Sequence, residues 1–211
     1  MNKLVKRFIS LCLLGVLAFA AAQDGLYAPE PPANSAFVRV ANALSSGSAF
    51  SSQLGSAGFS ELGFGGVSSY QVVPEGSYDF AAAGSSASLS ISAGNFYTVA
   101  VIDNGSGAHI VLLKDPSNSN MAKSLLVLYN LSGLATTHMK TADGAQAVIS
   151  DVGSDTLGSI VVNPISVELA AFSDASIAAF PAELERGAAY SLFVMGSAGS
   201  PSAYWIPSVT Q

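Results

Sequence analysis

The residues in this 211-residue chain that could attack or activate an acyl group are two histidines, His109 and His138, set among abundant serines. Acyl transfer of that kind needs a nucleophile, a base and a group that orients the base. The expected spacings are missing. No Gly-x-Ser-x-Gly elbow occurs, and no Gly-Asp-Ser block stands upstream of an Asp-x-x-His pair. Position 106 is Ser and position 135 is Ala, three residues before each histidine. Each histidine instead falls in a strand-like segment, where imidazoles commonly pack or face water. The sequence therefore predicts no catalytic residue, with a histidine-dependent acetyltransferase or esterase kept as an alternative.

Metal and phosphate chemistry find no better footing. Cys12 is the only cysteine and lies in the N-terminal apolar stretch, so the chain beyond residue 22 holds no thiolate for a metal or a disulfide. Asp103-Asn-Gly-Ser-Gly107 has the look of a calcium loop but lacks the repeated oxygens and closing Glu. The Gly-rich stretch from Gly55 to Gly66 contains no phosphate-cradling Gly-Lys-Ser/Thr ending and reads as turns or a bulge. No metal and no cofactor are expected.

The elements that would position any site follow from composition. Half the residues are hydrophobic and only 10% are charged, which excludes a disordered chain. Lys3, Lys6 and Arg7 precede an apolar run from Phe8 to Phe19, and Ala20-x-Ala22 ends it. Residues 1–22 thus read as a cleaved signal peptide, with an uncleaved anchor as the alternative. Beyond them no apolar run is long enough to span a bilayer. Their removal leaves five cations against fourteen carboxylates, a formal charge of −9. Five dispersed cations cannot supply the basic footprint a nucleic acid requires.

Residues 23–35 form a Pro-rich arm, with Pro29, Pro31 and Pro32 favouring extended backbone. After it, short β-prone runs alternate with Gly, Asn and Pro turns, and no segment carries a capped 3.6-residue stripe. Two of these runs recur. Phe37-Val-Arg-Val-Ala-Asn42 matches Leu125-Leu-Val-Leu-Tyr-Asn130 at an offset of 88 residues, and Gly94 to Val101 matches Gly187 to Val194 at an offset of 93. The fold class that follows is all-β: two tandem antiparallel β-sandwich domains over 36–114 and 124–211, joined by a polar linker over 115–123. A single large barrel is the competing arrangement. Tyr204 and Trp205, which include the only Trp, are candidates for a sugar-binding platform; rings that simply fill a sandwich core are the competing reading.

The segment Leu26-Tyr-Ala-Pro-Glu-Pro-Pro-Ala-Asn-Ser-Ala-Phe-Val-Arg-Val40 resembles the start of the AlgF family of periplasmic proteins that serve alginate O-acetylation. Phe96 to Val101, Met121 to Leu131, Thr141 to Gly144, Asn163-Pro164 and Glu185-Arg-Gly187 extend the resemblance over most of the chain. It implies a non-catalytic periplasmic accessory protein that contacts SGNH-like acetyltransferase components and a membrane O-acyltransferase, with at most weak contact to the polysaccharide. The richness in Ser, Ala and Gly departs from that family and leaves the polymer open. The partner-binding candidates are Leu26, Tyr27, Pro29, Pro31, Pro32 and Arg39, on the argument that short hydrophobic-Pro segments order on a partner; the arm packing across its own domain is the alternative.

Overall fold

The computed structural model describes residues 32–103 and 107–208. The signal segment and Leu26, Tyr27, Pro29 and Pro31 lie outside the described residues. Every regular element among the described residues is a strand. The first repeat comprises β1 (Ser35–Leu44), β2 (Phe50–Leu54), β3 (Ala57–Leu62), β4 (Gln71–Pro74), β5 (Gly76–Ala82), β6 (Ser85–Ile91), β7 (Phe96–Asp103) and β8 (Ala108–Asp115). The second comprises β9 (Ser124–Ser132), β10 (Thr136–Thr141), β11 (Ala147–Gly153), β12 (Thr156–Val162), β13 (Ser166–Phe172), β14 (Ser176–Glu183), β15 (Ala189–Ser197) and β16 (Ser200–Ser208).

The two repeats share one topology. Sheet order β4-β1-β7-β8 in the first becomes β12-β9-β15-β16 in the second. The outer layer of the second, β11-β10-β13-β14, corresponds to the hairpins β2–β3 and β5–β6 of the first, which lie with β2 beside β5. The ladders carry the duplication to single residues: Phe37 pairs with Phe96, and Leu125 with Ala189. Those are the offsets of 88 and 93 read from the sequence.

One pairing in each repeat departs from the all-antiparallel expectation. β1 runs parallel to β7, and β9 parallel to β15. Parallel neighbours need a long connection, and the five intervening strands supply it, four building the outer layer and one, β4 or β12, joining the edge of the inner sheet. Alternation along a strand does not report the direction of its neighbour, so the sequence could not show this. It also missed β2 and β3. Their inward residues Phe50, Leu54 and Phe59 alternate with Ser and Gly, and the turn between them closes on Gly55 at φ +59°.

Three cores result. The first lies between β1 and the outer hairpins, around Val38, Val40, Leu54, Phe80 and Val99. The second lies between β9 and the other outer sheet, around Leu128, Met139, Leu169 and Leu192. The third joins the inner sheets, with Ala41, Ala100 and Ile102 facing Val127, Tyr129, Leu131, Phe193 and Met195. β1, β7, β9 and β15 are consequently buried on both faces. Strands covered on both faces read as continuous apolar runs, and these four account for much of the apolar excess.

Each repeat is fastened at the same place. Asn42 at the end of β1 donates from Nδ2 to the carbonyls of Ser48 and Leu62, 2.9 and 2.8 Å away, and its Oδ1 accepts the Leu44 N–H. Asn130, its counterpart, donates to Leu134 and Val152 and accepts the N–H and O–H of Ser132. Both amides are fully buried. A matching irregularity follows, between Phe50 and Ser52 and between Thr137 and Met139. Asn42→Ala or Asn130→Ala strips two carbonyls of their donor, of which that of Val152 is buried. Each variant should lose roughly 1–3 kcal/mol per orphaned group, read as a lower urea midpoint.

Candidate functional site

The buried charges of the described structure meet between the two repeats. Arg39 on β1 is 3% exposed and Asp115, the last residue of β8, 6%. The guanidinium and carboxylate do not touch closely: Nε stands 3.8 Å from Oδ2. Thr98 relays them. Its Oγ1 accepts from Arg39 Nε at 2.9 Å and donates to Asp115 Oδ2 at 2.7 Å. Parallel pairing of β1 with β7 places Thr98 directly opposite Arg39, so the relay depends on that pairing.

The second repeat supplies the other partners. Arg39 Nη2 donates to Tyr129 Oη at 2.9 Å and to Ser191 Oγ at 3.1 Å. Tyr129 in turn donates to Asp115 Oδ1 at 2.8 Å, and Tyr70 donates to Oδ2 at 2.7 Å. The carboxylate therefore accepts three hydroxyl hydrogens. The guanidinium carbon lies 4.7, 5.4 and 5.1 Å from the ring centres of Tyr70, Tyr129 and Phe193. Tyr129 and Phe193, paired across β9 and β15, stack with centroids 4.2 Å apart.

These contacts set the protonation states. Burial alone would lower Arg39, but Tyr129, Tyr70 and Asp115 outweigh it and hold the guanidinium above its usual value. Burial, then the Asp115 charge, pushes both phenols well above the ordinary tyrosine range, with Arg39 opposing. Tyr70 and Tyr129 are thus neutral donors to a charged acceptor. A buried pair is costly unless its hydrogen bonds are met, and here hydroxyls meet them.

Several sequence-derived candidates lie elsewhere. Asp115 sits not in a polar linker but in β8, facing inward. Arg39 does not extend the arm's surface, because its side chain is enclosed between the repeats. Pro32 is exposed at the entry to β1, its carbonyl accepting from the Ser35 N–H at 3.0 Å. Tyr204 and Trp205 are neighbours on β16 and so point to opposite faces. Tyr204 meets Phe64 edge-on and covers Gly65, whose φ of +80° and lack of Cβ admit the ring. Trp205 stacks with Tyr190 and Phe180 beside the second core. The two rings make no common platform.

His109 and His138 are also far apart in role. His109 Nε2 contacts Asp155 Oδ2 at 3.0 Å across the repeats. His138 Nδ1 accepts the Asp151 N–H at 3.1 Å, where Asp151 has φ +57°. That side chain lines a shallow cleft of about 270 Å³ with Asp151 and Asp174. Among the described residues neither imidazole hydrogen-bonds a serine or threonine hydroxyl, and no cluster of three or more His, Asp or Glu is placed to hold a metal.

Duplicated all-β sheets, locked face to face through one buried ionic cluster, define a tandem β-sandwich scaffold. Residues 8–191 match the family model described as alginate O-acetyl transferase AlgF. The alginate biosynthesis protein AlgF of Pseudomonas aeruginosa is 34% identical over 197 residues, covering 92% of this chain and 88% of that protein. The AlgF of Pseudomonas putida is 33% identical over 198 residues, covering 93% and 89%, and that of Azotobacter vinelandii 30% over 194, covering 91% and 87%. A solved structure of the C-terminal domain of AlgF from P. aeruginosa covers 41% of this chain at 36% identity, with a TM-score of 0.38. The chain belongs to the AlgF family.

Two outcomes test the cluster. Arg39→Met and Asp115→Leu should each cost roughly 3–5 kcal/mol, because each leaves a buried charge without its partner. The double variant should cost less than their sum in a denaturant double-mutant cycle. Secondly, unfolded tyrosines ionise near pH 10, below the folded values of Tyr70 and Tyr129. Their contribution is complete below that pH and is lost as pH rises toward the folded values. Stability should fall above about pH 10, and Tyr70 and Tyr129 should gain tyrosinate absorbance only on unfolding.

Proposed function

We propose that this chain is a non-catalytic periplasmic adaptor that supports O-acetylation of an exopolysaccharide, alginate or a related polymer, by binding the enzymes that carry and place the acetyl groups. The observation that carries this reading is the AlgF match across residues 8–191. The disposition of reactive groups supports it. Arg39 and Asp115 hold the repeats together, and the two histidines are engaged by Asp155 and by the backbone of Asp151. A formal charge of −9 after residue 22 suits contact with a neutral or basic protein surface better than with a polyuronate.

Deletion of the gene should lower polymer acetyl content, and the tagged chain should capture an SGNH-like acetyltransferase component from periplasm. Complementation with a His109→Ala/His138→Ala variant should restore acetylation fully. Unchanged acetyl content on deletion would refute the adaptor role; failure of a folded double variant to complement would instead favour histidine chemistry.

A further inference from the structure

Sheet edges expose unpaired N–H and C=O groups, and folded proteins blunt them with charge, proline or bulges. Most edges here are blunted. β4 stops at Pro74, β14 carries Pro181, β16 carries Pro201 and Pro207, β3 and β11 carry register breaks beside Glu61 and Asp151, and β8 carries Lys114. β6 and β12 lack all of these; the fully exposed residues of β6 are serines alone, Ser86, Ser88 and Ser90, whereas those of β12 include apolar ones. The seven residues of β12, Thr-Leu-Gly-Ser-Ile-Val-Val, include no charge and no proline, and pair regularly with β9 on one side only. Ser159, Ile160 and Val161 are exposed in succession. Successive residues face opposite sides of a sheet, so both faces of the stretch 159–161 meet solvent, while Ile149 and Val152 of β11 cover the strand at Gly158. Met121, at 63% exposure, and Ile165, at 52%, extend the apolar surface at its far end.

We infer that β12 is a pairing edge for a second copy of this chain, added antiparallel about a two-fold axis at Ser159. Charge favours that occupant. The C-terminal end of β12 is flanked by Lys123, hydrogen-bonded to Asn163, and by Arg186, against Glu185 alone. The N-terminal end is flanked by Asp155 and Asp151. Antiparallel pairing brings the basic end of each copy to the acidic end of the other. It also sets Ile160 opposite Gly158, where Ile149 and Val152 of β11 lie, and Val161 opposite Leu157. The interface is isologous, as closed dimers require, and joins two four-stranded inner sheets into one of eight. This inference stands independently of the adaptor reading.

The full-length chain, expressed with its own leader and purified from the periplasm, should show a reversible monomer–dimer equilibrium by sedimentation velocity over about 1 to 100 µM. Ile160→Lys/Val161→Lys should weaken that dimer at least about 100-fold by facing cations across the axis, with an unchanged thermal midpoint at concentrations where the unsubstituted chain is monomeric, because both side chains are already exposed. Register is tested separately. Ser159→Cys should form a disulfide dimer under mild oxidation and Thr156→Cys should not, since Thr156 would stand about 20 Å from its mate. The unsubstituted chain is the control for Cys12. A monomer throughout that range, or equal cross-linking at both positions, overturns the proposal. If a monomeric chain loses capture of the acetyltransferase component on the lysine substitutions, the edge belongs to that partner instead.

Discussion

A single buried ion pair, bridged by a threonine and wrapped by three hydroxyls and three rings, sits where the two repeats meet, and the arrangement of the molecule depends on it. Removing Arg39 and Asp115 from water costs several kcal/mol per ion. That cost is offset only when strands from both repeats converge: β1, β7 and β8 from one, β9 and β15 from the other. Apolar packing between the inner sheets is non-directional and would tolerate sliding. The cluster does not, because a slip of one residue would leave a charge without its donors. It selects one register from those the hydrophobic faces would accept.

The cluster is also where the duplication stops being symmetric. Arg39 aligns with Val127, Ala41 with Tyr129 and Ala100 with Phe193, while Thr98 and Ser191 are equivalent hydroxyls that both bind Arg39. Two identical copies would have placed like charges near one another. Charge on one repeat and rings on the other avoid that repulsion and distinguish the first half from the second. The buried asparagines Asn42 and Asn130 do the opposite: they repeat faithfully because each fastens a hairpin within its own sandwich.

Much of the cluster was within reach of the sequence. The aligned segments Phe37–Asn42 and Leu125–Asn130 display the exchange of Arg for Val and Ala for Tyr side by side. A charge that replaces an apolar residue within an internal repeat signals a place where the copies meet. Asp115 was not legible in that way. It borders Pro116 and a run of Ser and Asn, and polarity in such a neighbourhood reads as linker. Tyr70 was hidden similarly, just outside β4. Tyr204 and Trp205 looked like partners because they are adjacent in sequence, and strand geometry separates them for that same reason.

From the sequence alone came the strand content, the duplicated plan with its offsets, and the AlgF resemblance. These rest on local periodicity, turn chemistry and internal similarity, all of which survive without knowing what packs on what. The tertiary structure decided which strands run parallel, which faces are covered twice, and which of the few charged residues are buried. Burial of a charge is a property of the residues that surround it. For Arg39 those come from positions 70, 98, 115, 129, 191 and 193, and only folding brings them within 6 Å of one side chain.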